Sequence, residues 1–331
     1  MATPFLIILP VRNGSAYIRQ AIASIVEQSD PAFRLVVLEN ASEDDTVAIV
    51  QSFDDPRIEI VPAARALPID ENWARAKDVV AAVPAETLVT VLGHDDYLYP
   101  QFVARMRALA QADPEATLLQ CHFDLIDATG ALIRPCRPIA ERETWRDLAA
   151  MIAWGLRDAY GTGYAFRAAD YLAVGGMPTL PGILYADHLL FLRLTRRGHK
   201  RATAFSGCAY RLHDTSMSNA VSVARVNLRM EAFAAFVAAL DTEFAAMIED
   251  DRGRQAMLTL LSREMFVFGG PLVRNTLDAA NRARLDHIAQ RIVTLGGSGD
   301  VRHWAYQASR SERLWGRTRR AMAYARARLK G

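Results

Sequence analysis

The chain has 331 residues, 51% of them hydrophobic, with 39 lysines and arginines against 37 acids and a net charge of +2. This is an ordinary globular composition, enough for a large core and about two domains, and it excludes a disordered or fibrous chain. The three cysteines, Cys121, Cys136 and Cys208, are odd in number, far apart and without metal-ligand spacing, so they read as reduced, buried thiols of a cytosolic protein.

A continuous apolar run at residues 5–9 predicts a strand covered on both faces, ended by Pro10. No basic leader segment, signal peptide or membrane-spanning run is seen, so the cytoplasm is the expected location. Ile18, Ala21, Ile22, Ile25 and Val26 follow at helical spacing behind Ser15, read as the N-cap. Residues 35–38 form a second strand, and Val47, Val50 and Phe53 mark a second helix. Residues 57–61 form a third strand, and a helix carries Trp73, Ala76, Val80 and Val83. Strands and helices alternating with short connections imply a mainly parallel α/β sheet, with ligands beyond the carboxyl ends of the strands. The polar segments 10–15, 39–46 and 93–97 lie at such ends and are expected to converge.

The most informative stretch is residues 88–100, LVTVLGHDDYLYP, where an apolar strand ends in the consecutive carboxylates Asp95 and Asp96. Adjacent acids repel, so a hard divalent ion, Mn²⁺ or Mg²⁺, shared with substrate phosphates is their natural partner. The structural alternative is that they only begin the turn into the helix of Phe102, Met106 and Leu109.

The succession PVRNGSAYIRQAIASIVEQ, LENASEDDT and LGHDDYLYP resembles the nucleotide-binding half of family 2 glycosyltransferases. That resemblance implies the GT-A fold: a Rossmann-like, mainly parallel α/β sheet flanked by helices. It also implies inverting transfer from a nucleotide-diphosphate sugar. Carried over, Pro10, Arg12 and Asn13 form one wall of the nucleoside site, and Glu39 and Asn40 the acidic pair facing base and ribose. Asp95 then contacts ribose or sugar and Asp96 binds the metal. The family often shows two Asp where this chain has Glu39-Asn40, so uracil, thymine and guanine all stay open as bases. Taken singly, Asn13-Gly14 is a turn dipeptide, and Ser42 and Asp44 read as loop-stiffening residues.

The likeness continues through GTGYAFRAADYLAVGGMP, YADHLLFLRLTRRG and YRLHDTSMS. Here it implies that Asp187 is the catalytic base, Arg211 a diphosphate contact and His213 a metal ligand, with Ser216 and Ser218 in the same closing loop. Many relatives carry Glu-Asp where this chain has Ala186-Asp187, which leaves one local acid; an Asp there is also a good N-cap for the helix closed by Gly198. Residues 117–123 predict another strand and 143–154 an amphipathic helix whose Trp145 and Trp154 read as core. His122 and Asp124 are further candidates to face the acceptor.

The expected division is a catalytic domain over 1–218 and an all-helical appendage over 219–331. Helix breaks fall near 250–253, 269–271 and 296–299. Its last helix carries Trp304, Trp315, Met322 and Leu329 amid arginines. This pattern suits either peripheral binding to an anionic inner membrane face or a solvated face over a bundle. Nucleic acid is not expected as a partner, because no recognised binding module accompanies the charge. The expected partners are a nucleotide-diphosphate sugar donor and a glycan, lipid-linked saccharide or small-molecule acceptor, in cell-surface polysaccharide or glycoconjugate synthesis; a homo-oligomer is left open. A non-catalytic nucleotide-sugar or glycan-binding subunit is the rival from another class. A sugar-phosphate nucleotidyltransferase is disfavoured by a first loop without a Gly-rich phosphate cradle.

Overall fold

The computed structural model describes residues 3–158, 160–213, 222–268 and 271–297. Among the described residues ten strands form one sheet: β1 (Phe5–Val11), β2 (Arg34–Glu39), β3 (Ile58–Pro62), β4 (Leu88–Val91), β5 (Tyr97–Leu98), β6 (Ala116–Ile126), β7 (Leu132–Pro135), β8 (Arg142–Glu143), β9 (Tyr164–Arg167) and β10 (His199–Arg211). The helices are α1 (Ile18–Val26), α2 (Thr46–Gln51), α3 (Ile69–Ala74), α4 (Ala76–Ala81), α5 (Phe102–Ala112), α6 (Trp145–Ala153), α7 (Ala168–Ala173), α8 (Ala186–Arg197), α9 (Val223–Glu243), α10 (Asp251–Phe268), α11 (Pro271–Arg274) and α12 (Ala279–Thr294).

The chain divides into two compact units. The first comprises Met1–Trp145, Arg157–Thr179 and Ala186–His213 and holds the sheet, in the order β3-β2-β1-β4-β9-β6-β10-β5, with β7 beside β6 and β8 beside β10. Strands β3, β2, β1 and β4 run parallel, whereas β9 is antiparallel to both β4 and β6, so the sheet is mixed beyond β4. Every residue of β1 is buried, as its apolar run requires for a strand sandwiched between helices. Ile18, Ala21, Ile22 and Ile25 of α1 pack into the same core as Phe102, Val103 and Met106 of α5.

From β1 the chain winds outward to β2 and β3, then returns to place β4 on the other flank of β1. That reversal makes the carboxyl ends of β1 and β4 a topological switch point, where the following loops part and leave a crevice.

Two local expectations are corrected. Pro10 does not end β1 but sits in it opposite Leu38. Its neighbour-but-one Ile8 faces β4, whose last paired residue is Val91, so the N–H that Pro10 lacks falls where no partner strand remains. Ser15 does not cap α1: the turn closes on the Gly14 carbonyl, which accepts from the Tyr17 and Ile18 amides, and Ser15 gives its own N–H to Asp44.

The second unit comprises Arg146–Leu156, Leu180–Tyr185 and, among the described residues, those from Ser222 on. It thus draws on two stretches well upstream of residue 219. Met230, Phe233, Phe236, Val237 and Leu240 of α9 are buried, as are Leu261 and Met265 of α10 and Leu285, Ile288 and Ile292 of α12. Ser222 and Asp278 cap α9 and α12 by accepting from Arg225 and Asn281 N–H groups. Among the described residues no helix is long and apolar enough to cross a membrane. The basic stripe of Trp304, Trp315, Met322 and Leu329, like Ser216 and Ser218, lies outside the described residues.

Candidate active site

The crevice at the ends of β1 and β4 is built by loops that bind one another before they could bind any ligand. Asn13, held at φ 51, donates its N–H to Ser42 Oγ at 3.0 Å and accepts from the Glu43 N–H at 2.8 Å. The Gly14 N–H meets Thr46 Oγ1 at 2.8 Å, and Arg12 reaches Glu43 at 3.2 Å. Burial would raise the Asp44 carboxyl, but hydrogen bonds from Thr46 and Ser15 outweigh it and hold the group well below the usual carboxylate range. Segments 12–15 and 42–46 therefore form one rigid rim. A side chain at position 14 would stand 2.6 Å from Val11 Cγ2 and 2.7 Å from His94 Cδ2, so only glycine lets this rim lie against the loop after β4.

Glu39 ends β2, Asn40 follows it, and both are buried. The Glu39 carboxylate accepts from the Ala41 and Ser42 N–H groups, turning its loop back on itself. Asn40 pairs with the backbone of Leu67 in both directions: Oδ1 accepts from Leu67 N–H at 2.8 Å and Nδ2 donates to Leu67 O at 3.0 Å. A carboxylate could make only the first of these bonds, which gives a structural reason for the amide at this position. Arg75, which sequence reasoning missed, donates to the carbonyls of Glu39 and Val61 and to Asn72 Oδ1, fixing the same corner from behind. Its signal in sequence is slight, a single basic residue between α3 and α4.

The acids after β4 differ in surroundings. Asp96 is buried and accepts the Arg211 N–H at 2.9 Å; burial and the neighbouring Asp95 charge push its carboxyl well up. Burial also acts to raise Asp95, but the hydrogen bond to His213 and the nearby imidazoles prevail and lower it. Asp95 Oδ2 and His213 Nε2 are 2.9 Å apart, and the His213 ring lies 5.2 Å from that of Tyr17. Of the two acids in the turn after β4, Asp95 therefore meets His213 and Asp96 meets the backbone of Arg211.

Arg211 faces inward. Only 2% exposed, it donates from Nε to Asp95 O, from Nη1 to Asp127 O and Ala128 O, and from Nη2 to Gln20 Oε1, between the rings of Tyr17 and Tyr97. The guanidinium is thus hydrogen-bonded within the protein, to the loop that carries Asp95.

Asp187 is the second residue of α8, not its N-cap. Its Oδ1 accepts the His188 N–H at 2.8 Å, and its Oδ2 lies 3.8 Å from where a Cβ on Gly161 would stand. Tyr160, just before that glycine, stacks on Tyr210 of β10 at 4.2 Å. Asp187 thus stands beside Gly161, whose neighbour Tyr160 packs on β10. Burial raises its carboxyl above the ordinary value, in the direction that suits a proton acceptor. His122 is half-buried and Asp124 accepts the Tyr99 hydroxyl at 2.8 Å.

Among the described residues no cluster of three or more His, Cys, Asp or Glu stands ready for a metal. A carboxylate and an imidazole 2.9 Å apart nevertheless fit a cation that takes its other oxygens from phosphate, an imidazole being an acceptable ligand for Mn²⁺ and a poorer one for Mg²⁺.

The sequence model of Glycosyl transferase family 2 matches residues 6–171, half of the chain. An uncharacterized glycosyltransferase, RP339, of Rickettsia prowazekii (strain Madrid E) is 27% identical over 124 residues, covering 37% of this chain and 36% of that protein. The chain therefore spans about a third of the length of that relative. The crystal structure of S. aureus TarS 1–349 in complex with UDP-GlcNAc superposes with a TM-score of 0.61 at 13% identity, over 88% of this chain and 81% of the other. The same fragment with UDP gives 0.52 at 13% identity, over 88% and 89%. At such identities the likeness shows the fold.

Proposed function

The chain belongs to glycosyl transferase family 2 and is a glycosyltransferase, and from that premise we propose that it moves a sugar from a nucleotide-diphosphate sugar to a hydroxyl, with metal dependence and inversion at the anomeric carbon. The observation that carries this reading is the meeting of Asp95 and His213 at the switch-point crevice.

The rim of Pro10, Arg12 and Asn13 and the β2 corner of Glu39 and Asn40 receive the nucleoside, mostly through backbone groups, since both β2 side chains are already hydrogen-bonded. Asp95 and His213 are the residues that would hold Mn²⁺ or Mg²⁺, and Asp96 fixes the end of β10 by accepting the Arg211 N–H. A bound ion offsets the charge that grows on the departing diphosphate. Asp187 takes the proton of the acceptor hydroxyl while that oxygen bonds to the anomeric carbon and the bond to the diphosphate breaks on the opposite face. The acceptor is a hydroxyl of a glycan, a lipid-linked saccharide or a small molecule.

Thermal stabilisation by UDP, dTDP and GDP, each with Mn²⁺, with Mg²⁺ and with chelator, tests the donor side. One nucleotide should raise the melting temperature only with metal present. No stabilisation by any of the three would count against the nucleotide site.

A further inference from the structure

Gly161 and Asp187 both belong to the first unit, and the glycine stands beside the carboxylate. The backbone does not call for glycine there: Gly163, two residues on, is held at φ 76, whereas Gly161 is not left-handed. Crowding does not call for it either. Within 4 Å of where its Cβ would stand, outside its chain neighbours, the described residues supply two atoms, Cβ and Oδ2 of Asp187, both at 3.8 Å. That is ordinary van der Waals distance, so the missing side chain leaves a clearance bordered by the carboxylate. Oδ1 of Asp187 accepts the His188 N–H, and Oδ2 is the oxygen on the clearance. The segment is held on both sides of Gly161. Before it, the Asp158 carboxylate accepts from Arg134 Nη1 and Nη2 at 2.7 and 2.8 Å and from the Arg137 N–H at 2.7 Å, and Tyr160 stacks on Tyr210 at 4.2 Å and 13°. After it, Thr162 is buried and the Gly163 carbonyl accepts the Cys121 N–H at 2.9 Å. The clearance is therefore a fixed feature of the first unit.

We propose that Gly161 is a specificity-determining residue of the acceptor side: its missing side chain is the clearance by which a hydroxyl borne on a carbon skeleton, and not water alone, reaches Asp187 Oδ2. The inference rests on Asp187 being the base. With either acceptor the O–H proton passes to Asp187, the oxygen bonds to the anomeric carbon, and the diphosphate leaves with the electron pair of the broken bond. An alcohol then gives a glycoside and water gives the free sugar. Water needs little room, whereas an alcohol brings a carbon and that carbon's substituents up to the Gly161 backbone. A valine at position 161 would set its γ-carbons about 1.5 Å beyond the Cβ position. Turned toward the carboxylate, they would stand inside the roughly 3.5–4.0 Å that non-bonded carbon atoms keep. One carbon too many in a fitted site costs on the order of 10- to 200-fold in discrimination.

The test uses full-length wild type, Gly161→Ala and Gly161→Val with Mn²⁺ and UDP-, dTDP- and GDP-sugars, in buffer containing glycerol or methyl hexosides as the alcohols. Mass spectrometry gives the ratio of glycoside formed to free sugar released, and binding of the free diphosphates gives Kd. The ratio should fall about tenfold in Gly161→Ala and on the order of 10²-fold in Gly161→Val, with Kd within about twofold. Gly161→Ala keeps the fold, because its Cβ meets Asp187 at an ordinary contact distance, and it carries the test if the valine variant does not fold. The same ratio in Gly161→Ala as in wild type, free sugar alone from both included, would overturn the inference provided Asp187→Asn is inactive. Normal turnover by Asp187→Asn would instead mean that the base assignment had failed.

Discussion

Asn40→Asp restores the second acid that relatives often carry at this corner, and the structure predicts that it destabilises this chain. The Asn40 amide sits 2% exposed between the N–H and C=O of Leu67. A carboxylate keeps the bond from the Leu67 N–H but sets an oxygen against the Leu67 carbonyl where Nδ2 now donates at 3.0 Å. Losing one buried hydrogen bond and leaving its acceptor unpaired costs about 1–3 kcal/mol. At about 2–4 °C per kcal/mol, a midrange loss lowers the melting temperature by on the order of 4–8 °C. The pH dependence has a definite sign. The new carboxyl is buried facing an acceptor, so its folded pKa rises above its unfolded value of about 3.9. The penalty is then fully present above the folded pKa and disappears as pH falls through it, when an O–H can donate to Leu67 O. Melting curves of Asn40→Asp, Asn40→Ala and wild type between pH 8 and about 5 would show the Asn40→Asp deficit shrinking towards low pH, relative to Asn40→Ala. A variant as stable as wild type at pH 8, or a deficit that grows on acidification, would refute the role given to Asn40.

Arg211→Lys keeps the charge but loses the fork that spans Asp95 O, Asp127 O and Ala128 O, so it should weaken metal-dependent nucleotide binding as much as Arg211→Gln does, about tenfold or more. Gln20→Ala should weaken it in the same direction but less; a Lys variant that binds like wild type would restore a direct diphosphate role. Gly14→Ala overpacks the rim against Val11 and His94 and should cost about 1–3 kcal/mol, shared between melting temperature and donor affinity. The double variant Gly14→Ala with His94→Ala should recover part of it, and no recovery would dissociate the defect from the His94 contact. Because Asp187 must be ionised to accept a proton and its carboxyl is raised by burial, kcat should fall on acidification through a midpoint above the ordinary 3.8; a flat profile down to that value would argue against it.

Periodicity located the parallel β1–β4 half well, because buried parallel strands are unbroken apolar runs and their helices keep a clean stripe. Strand β10 was not legible: KRATAFSGCAYR mixes polar residues into a strand with register shifts beside Thr203, Ser206 and Cys208. Pro10 misled because a proline reads as a stop unless the missing N–H is known to face an empty edge. The site was legible as a set of strand-end loops, but not in its pairings. Which of Asp95 and Asp96 meets His213, and whether Arg211 faces inward, depend on side-chain directions that only the fold fixes. Nor could any local pattern show that Leu180–Tyr185 leaves the first unit just before Asp187.

The central claim, that Asp187 is the proton acceptor in sugar transfer, is tested most directly by Asp187→Asn. Its turnover of the nucleotide sugar is to be compared with metal-dependent binding of the same nucleotide. The amide is nearly isosteric and can still accept the His188 N–H, so the fold and the start of α8 are preserved. The account predicts unchanged nucleotide affinity and a rate lowered about 10²- to 10⁴-fold. Turnover near the wild-type rate would contradict it.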